Sequence, residues 1–157
     1  MNGERFEVLV VLTNSILKSI QRLKMQKMRN YGLTGAHMNC IYRLEQAGEA
    51  GLTQLELVQR EMMDASQISR VLRELMDKGF VKVDGDEGRY RRHYALTEAG
   101  LVIAQDVHAM INEVNDFVMD GITLPERESF FKTLAHLSEN LMKAEDYYLA
   151  EAEAENQ

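Results

Sequence analysis

The sequence predicts a mainly α chain: a winged helix-turn-helix with a small β-hairpin wing, flanked by long N- and C-terminal dimerisation helices. Three observations predict it. Apolar residues recur every three or four positions through most of the 157 residues, the mark of amphipathic helices. The period shortens to two only at Phe80-Val81-Lys82-Val83 and its return segment, directly behind a short helix, a tight turn and a second helix. One Pro, no Trp and ten Met favour long helices over a β-sandwich.

Composition sets the limits. With 45% hydrophobic and 27% charged residues the chain is globular, neither disordered nor fibrous. The longest unbroken apolar run, Val8–Leu12, is far short of the roughly 18 residues of a membrane span. Met1–Arg5 shows no leader pattern, and a single Cys excludes an internal disulfide framework. These features lead us to expect a cytoplasmic chain with no membrane partner. The net charge of −7 is unevenly spread: residues 1–97 carry 15 Lys/Arg against 12 Asp/Glu, and residues 98–157 carry 3 against 13. That division is ordinary for solvated helix faces; it also fits a nucleic-acid-facing part joined to an acidic scaffold.

Residues 5–29 read as one helix, with Leu9, Leu12, Ile16, Ile20 and Leu23 along one face. Lys18, Arg22, Lys24, Lys27 and Arg29 crowd its second half, where cations complement the helix dipole. Thr34 is the N-cap of a second helix over 35–47. Thr53-Gln54-Leu55-Glu56 is a capping box opening a short helix to about Arg60. A box-like start at Asp64–Gln67 opens a fourth helix, which runs to Lys78 before Gly79 stops it.

Phe80–Val83 and Arg91–Leu96 are the two strands of a hairpin, joined by the turn-rich Asp84-Gly85-Asp86-Glu87-Gly88. Thr97 caps a long helix over 98–119, and Gly121 breaks it. Thr123-Leu124-Pro125-Glu126 opens the last helix, which should reach about Tyr148 and leave a frayed acidic tail over 151–157. The expected organisation is a winged-helix lobe over 34–97 and a helical region over 1–33 and 98–157.

In a helix-turn-helix the second helix enters the DNA major groove while the first crosses the backbone. Ile68, Val71, Leu72 and Leu75 form the inward stripe of that second helix, leaving Ser66, Gln67, Ser69, Arg70, Arg73 and Glu74 outside. Gln67 and Arg70 lie near its N-terminal end, which reaches base edges. Arg bonds guanine and Gln bonds adenine in paired fashion. Ser66, and Thr53 and Gln54 on the preceding helix, suit phosphate oxygens. Arg70 with Glu74, or Arg73 with Asp77, also has the spacing of an ordinary helix-surface ion pair. Charge alone decides little, because residues 66–92 carry seven basic against five acidic side chains.

Leu52-Thr53-Gln54-Leu55-Glu56-Leu57, then Gln67 through Val81, then Leu96-Thr97-Glu98-Ala99-Gly100 resemble the MarR family of bacterial winged-helix transcription regulators over nearly the whole chain. The resemblance implies a homodimer with the first and last two helices interleaved, which makes 34–97 the DNA-binding lobe and 1–33 with 98–157 the dimerisation region. It further implies a palindromic operator in double-stranded DNA, and repression relieved by a ligand. At the wing the family pattern Asp-Arg-Arg falls on Gly88-Arg89-Tyr90. Arg89 keeps the position implied to enter the minor groove, the bracing Asp is missing, and Tyr90 replaces the second Arg. Asp86 or Glu87 is a substitute brace, and Arg91 and Arg92 supply positive charge from the return strand.

Other roles have less support. No Gly-rich phosphate loop, nucleophile elbow or metal-ligand spacing occurs, so no enzyme, cofactor or metal site is expected. Cys40 lies mid-helix among apolar neighbours and reads as core; the redox-sensing members carry their Cys near the start of the first helix. His37, His93, His108 and His136 share no ligand spacing. The Met residues read as core and dimer packing, or as the lining of a pocket for a small apolar or aromatic effector. The alternatives to a DNA-binding regulator are a winged helix that binds protein, and a metal- or redox-responsive member of the same family.

Overall fold

The computed structural model describes residues 2–61, 63–84 and 92–155. The element order is α1 (Asn2–Met28), α2 (Gly35–Ala47), β1 (Leu52–Thr53), α3 (Gln54–Glu61), α4 (Ala65–Asp77), β2 (Val81–Asp84), β3 (His93–Leu96), α5 (Glu98–Val118) and α6 (Leu124–Glu155). The chain is mainly helical, with one small antiparallel sheet in the order β1-β3-β2. Single 3-10 turns follow α1 and α2.

Local chemistry explains the boundaries. Thr53 and Glu56 form the expected capping box: the Thr53 amide and hydroxyl both donate to Glu56 Oε2, at 2.7 and 2.8 Å, and the Glu56 amide donates to Thr53 Oγ1. Asp64 caps α4, its Oδ1 accepting the Gln67 amide at 2.8 Å. The same helix closes in a Schellman motif: the Gly79 amide donates to the Met76 carbonyl and the Phe80 amide to the Leu75 carbonyl, with Gly79 at φ +74°. Thr97 caps α5 by accepting the Gly100 amide, and its hydroxyl donates to the Gly79 carbonyl at 2.6 Å, so one residue ties the start of α5 to the end of α4.

The chain forms two compact units, residues 1–112 and 113–157. The first has one core, built from Met28 of α1, Met38, Cys40, Ile41 and Leu44 of α2, Leu57 of α3, the α4 stripe, and Ile103, Ala104 and Val107 of α5. The sheet closes its edge. β2 pairs with β3 from Val81↔Leu96 to Asp84↔His93, and β1 adds Leu52↔Tyr94. The second unit contains α6, whose first turn repeats the capping box: the Thr123 amide and hydroxyl donate to Glu126 Oε2.

Two expectations need correcting. The hairpin has a third strand, β1, whose two residues are too short to show a period. α6 continues to Glu155, so the tail expected to fray over 151–155 is helical; its Ala and Glu residues are good helix formers. Separately, the stripe of α1 does not enter the core of this chain: Leu12, Ile16, Ile20 and Leu23 are exposed, and only Met28 is fully buried. No helix among the described residues is long and apolar enough to cross a membrane.

Candidate nucleic-acid interface

The inner and outer sides of α4 divide as its period demands. Ile68, Val71, Leu72 and Leu75 are at most 3% exposed. Ser66, Gln67, Arg70, Arg73 and Glu74 are exposed on the other side, and Ser69 lies between. The helix therefore offers one polar face.

Its N-terminal turn is built by its cap. The Ser66 hydroxyl donates to Asp64 Oδ1 at 2.6 Å, beside the Gln67 amide on the same oxygen. The Ser66 bond, then the Gln67 amide, and at longer range Arg70 hold the Asp64 carboxyl below its ordinary range. A carboxylate thus occupies the positive end of α4, and the phosphate role expected of Ser66 must compete with it.

α3 sits across this end. Thr53 is half-buried and committed to Glu56. The Thr53 backbone amide and hydroxyl depress the pKa of Glu56, so the box stays charged at neutral pH. Gln54 donates its side-chain amide to the Ala65 carbonyl at 2.9 Å. Here Gln54 braces α3 against the first residue of α4, a role the sequence reading missed. Arg43 of α2 adds a second brace, its Nε donating to Glu61 Oε1 at 2.7 Å.

Behind the outer face lies a cleft of about 340 Å³, bounded by Thr34 and His37 at the start of α2, Met63 in the turn, and Gln67, Arg70 and Glu74 of α4. His37 is its buried polar wall. It completes the capping box of α2 in place of a carboxylate, Nδ1 accepting the Thr34 amide at 3.1 Å.

Of the wing candidates, Arg89, Tyr90 and Arg91, with the substitute braces Asp86 and Glu87, lie outside the described residues. Arg92 is described, exposed just before β3. Cys40 is fully buried, and burial, with Glu61 nearby, pushes its thiol up to about 12, so it holds no thiolate at neutral pH. Among the described residues no group of three or more His, Cys, Asp or Glu is placed to hold a metal ion.

No protein-family model matches the sequence and no curated protein is similar to it, but solved structures are. A transcriptional regulator of the MarR family from Silicibacter pomeroyi is 27% identical, with 82% of this chain and 86% of that one covered and a TM-score of 0.70. The chain has the fold of MarR-family transcriptional regulators. A MarR transcriptional regulator from Methanosarcina mazei Go1, 23% identical over 87% of this chain and 91% of its own, superposes at a TM-score of 0.74. The S. aureus MepR–DNA complex, 19% identical over 83% and 94%, gives 0.75. These last two show the MarR fold alone. The winged helix-turn-helix is thus established for this chain, with α3 and α4 as its helix pair.

Proposed function

We propose that the chain is a sequence-specific DNA-binding transcriptional regulator, a repressor that acts as a homodimer on a palindromic operator in double-stranded DNA and is released by a small apolar or aromatic effector. The observation that carries this reading is the two-sidedness of α4, apolar side chains sealed inward and Gln67, Arg70 and Arg73 outward at one end. Gln67 and Arg70 read base edges in the major groove, Ser69 and Arg73 flank them, and Ser66 faces a phosphate at the start of α4, while Thr53, held by Glu56, positions α3 rather than touching DNA. Arg89 enters the minor groove, with Tyr90, Arg91 and Arg92 beside it on the wing. The solved MepR–DNA complex on the same fold supports the assignment to DNA.

The uncovered apolar surface supports the dimer. Ile16 is 55% exposed and Phe117 86%, alongside Leu12, Ile20, Phe130, Leu134 and Leu141. Apolar faces of this extent mark a protein–protein contact. Two copies joined through them carry their α4 helices about one DNA turn apart, roughly 34–36 Å, and an effector that favours another spacing lowers affinity.

Selection of bound sequences from a random duplex pool tests this: a two-fold symmetric motif is expected, and recovery without any common motif overturns it. Arg70→Ala should cost about 1–3 kcal/mol at its own base position and relax preference there. Arg89→Ala should weaken operator and random DNA more evenly. If both variants lose affinity in the same pattern, the division between reading and anchoring is wrong.

A further inference from the structure

Among the described residues His37 is the buried polar side chain of the core, 3% exposed, and nothing in the reading of DNA uses it. Its two ring nitrogens face different helices. Nδ1 accepts the Thr34 backbone amide at 3.1 Å and lies 2.8 Å from Thr34 Oγ1, closing the cap of α2. A ring nitrogen that accepts from an N–H carries no proton, so the neutral ring holds its hydrogen on Nε2. Nε2 lies 2.8 Å from Glu74 Oε2 of α4. That contact is electrostatic, since Nε2 has no aligned hydrogen-bond acceptor. One imidazole thus joins the first turn of α2 to the middle of the recognition helix.

We propose that His37 is a positioning residue: its neutral ring latches the cap of α2 to α4, and its protonation loosens the recognition helix and weakens DNA binding. The inference rests on the DNA-binding reading above and adds its regulation by acid. A proton on Nδ1 sets two donors against each other, Nδ1–H and the Thr34 N–H, at a residue that is 3% exposed. The charged groups facing the ring are Glu74, which favours the proton, and Lys78 and Arg70, which oppose it. Glu74 and Arg70 lie in α4, and Lys78 is its C-cap. Lys24 of α1 is engaged elsewhere, with Asn39 at 2.7 Å. Burial outweighs Glu74 and keeps the pKa below the ordinary histidine value, so the ring is neutral at pH 7. When protonated, the ring must give up the Thr34 amide, and the adjoining cleft gives it room to swing toward Gln67 and Arg70. Those are the two side chains assigned to base reading.

The test compares the wild-type chain with His37→Gln and His37→Ala. Gln keeps an acceptor for the Thr34 amide and a donor toward Glu74 but does not titrate. Ala keeps neither. The probe is the duplex recovered by selection at about pH 8. At that pH His37→Gln should recover most of the affinity that His37→Ala loses. On acidification to about pH 5.5 the wild type should lose at least about five-fold more affinity than His37→Gln. Parallel pH profiles of these two proteins overturn the latch. The comparison stands even if His37→Ala does not fold.

A second readout needs no DNA. Imidazole 15N shifts of the free protein should show the Nε2–H tautomer at about pH 8. At about pH 5.5, α4 amides should exchange faster in the wild type than in His37→Gln. An Nδ1–H tautomer, or equal exchange, also overturns it. If no duplex is recovered while these two signatures hold, the DNA reading has failed and the latch has not.

Discussion

Side chains divide by how local their task is. Thr53 and Glu56 were legible because both halves of a capping box lie within four residues, and the bonds found are those expected. Cys40 was legible from its apolar neighbours. Gln54 was not: as a polar residue at a helix start it read as a phosphate ligand, and only the fold brings the Ala65 carbonyl to its amide. His37 was not legible either, because its partner Glu74 lies in another helix and the burial is produced by packing. That burial has a consequence for stability. Its folded-state pKa is lowered, so the unfolded chain takes up the proton first as pH falls. Stability from this residue is therefore full above the ordinary histidine value of 6.5 and declines as pH drops from there toward the lowered value. Urea unfolding across this range should show a fall that His37→Gln reduces; an unchanged fall would assign the acid sensitivity to other groups.

Helices and strands were legible where a period or a cap is long enough to repeat. The expected 35–47 helix is Gly35–Ala47, α4 is shorter than expected by a residue at each end, and α5 is shorter by one at its C-terminal end. β1 escaped because two residues carry no alternation; a cross-strand partner defines it, not a pattern. Its entry depends on Gly51, which sits at φ +64° where an added Cβ would collide with the Tyr94 carbonyl. Gly100 is similar: a Cβ there would collide with the Phe80 carbonyl as α5 leaves the sheet. Backbone cannot give way as a flexible side chain can. Gly100→Ala should therefore destabilise the chain by about 1–3 kcal/mol despite the better helix propensity of Ala. Thermal unfolding checks this. A stabilised Gly100→Ala would mean that α5 sits further from β2 than described.

Long-range properties were the least legible. Charge asymmetry can be counted in the sequence, but a stripe of apolar residues reads the same whether it meets its own core or a second copy. α1 and α4 illustrate the difference. Both repeat apolar residues at helical spacing, yet Ile68 and Leu75 are wholly buried while Ile16 and Ile20 remain 55% and 42% exposed. The stripe of α4 has a complete set of partners inside the chain; that of α1 lacks them beyond its C-terminal end. If a second copy supplies them, replacing Ile16 and Ile20 together by Glu places two charges in the contact. Each buried aliphatic side chain contributes about 1.5–3 kcal/mol, so the loss should exceed a hundred-fold in dimer affinity. Light scattering at micromolar concentration should then report monomers, with the first unit still folded by circular dichroism. Operator affinity should fall with the dimer, because one recognition helix cannot hold two half-sites. A dimer that survives both substitutions would move the contact off α1, leaving the exposed faces of the second unit to provide it.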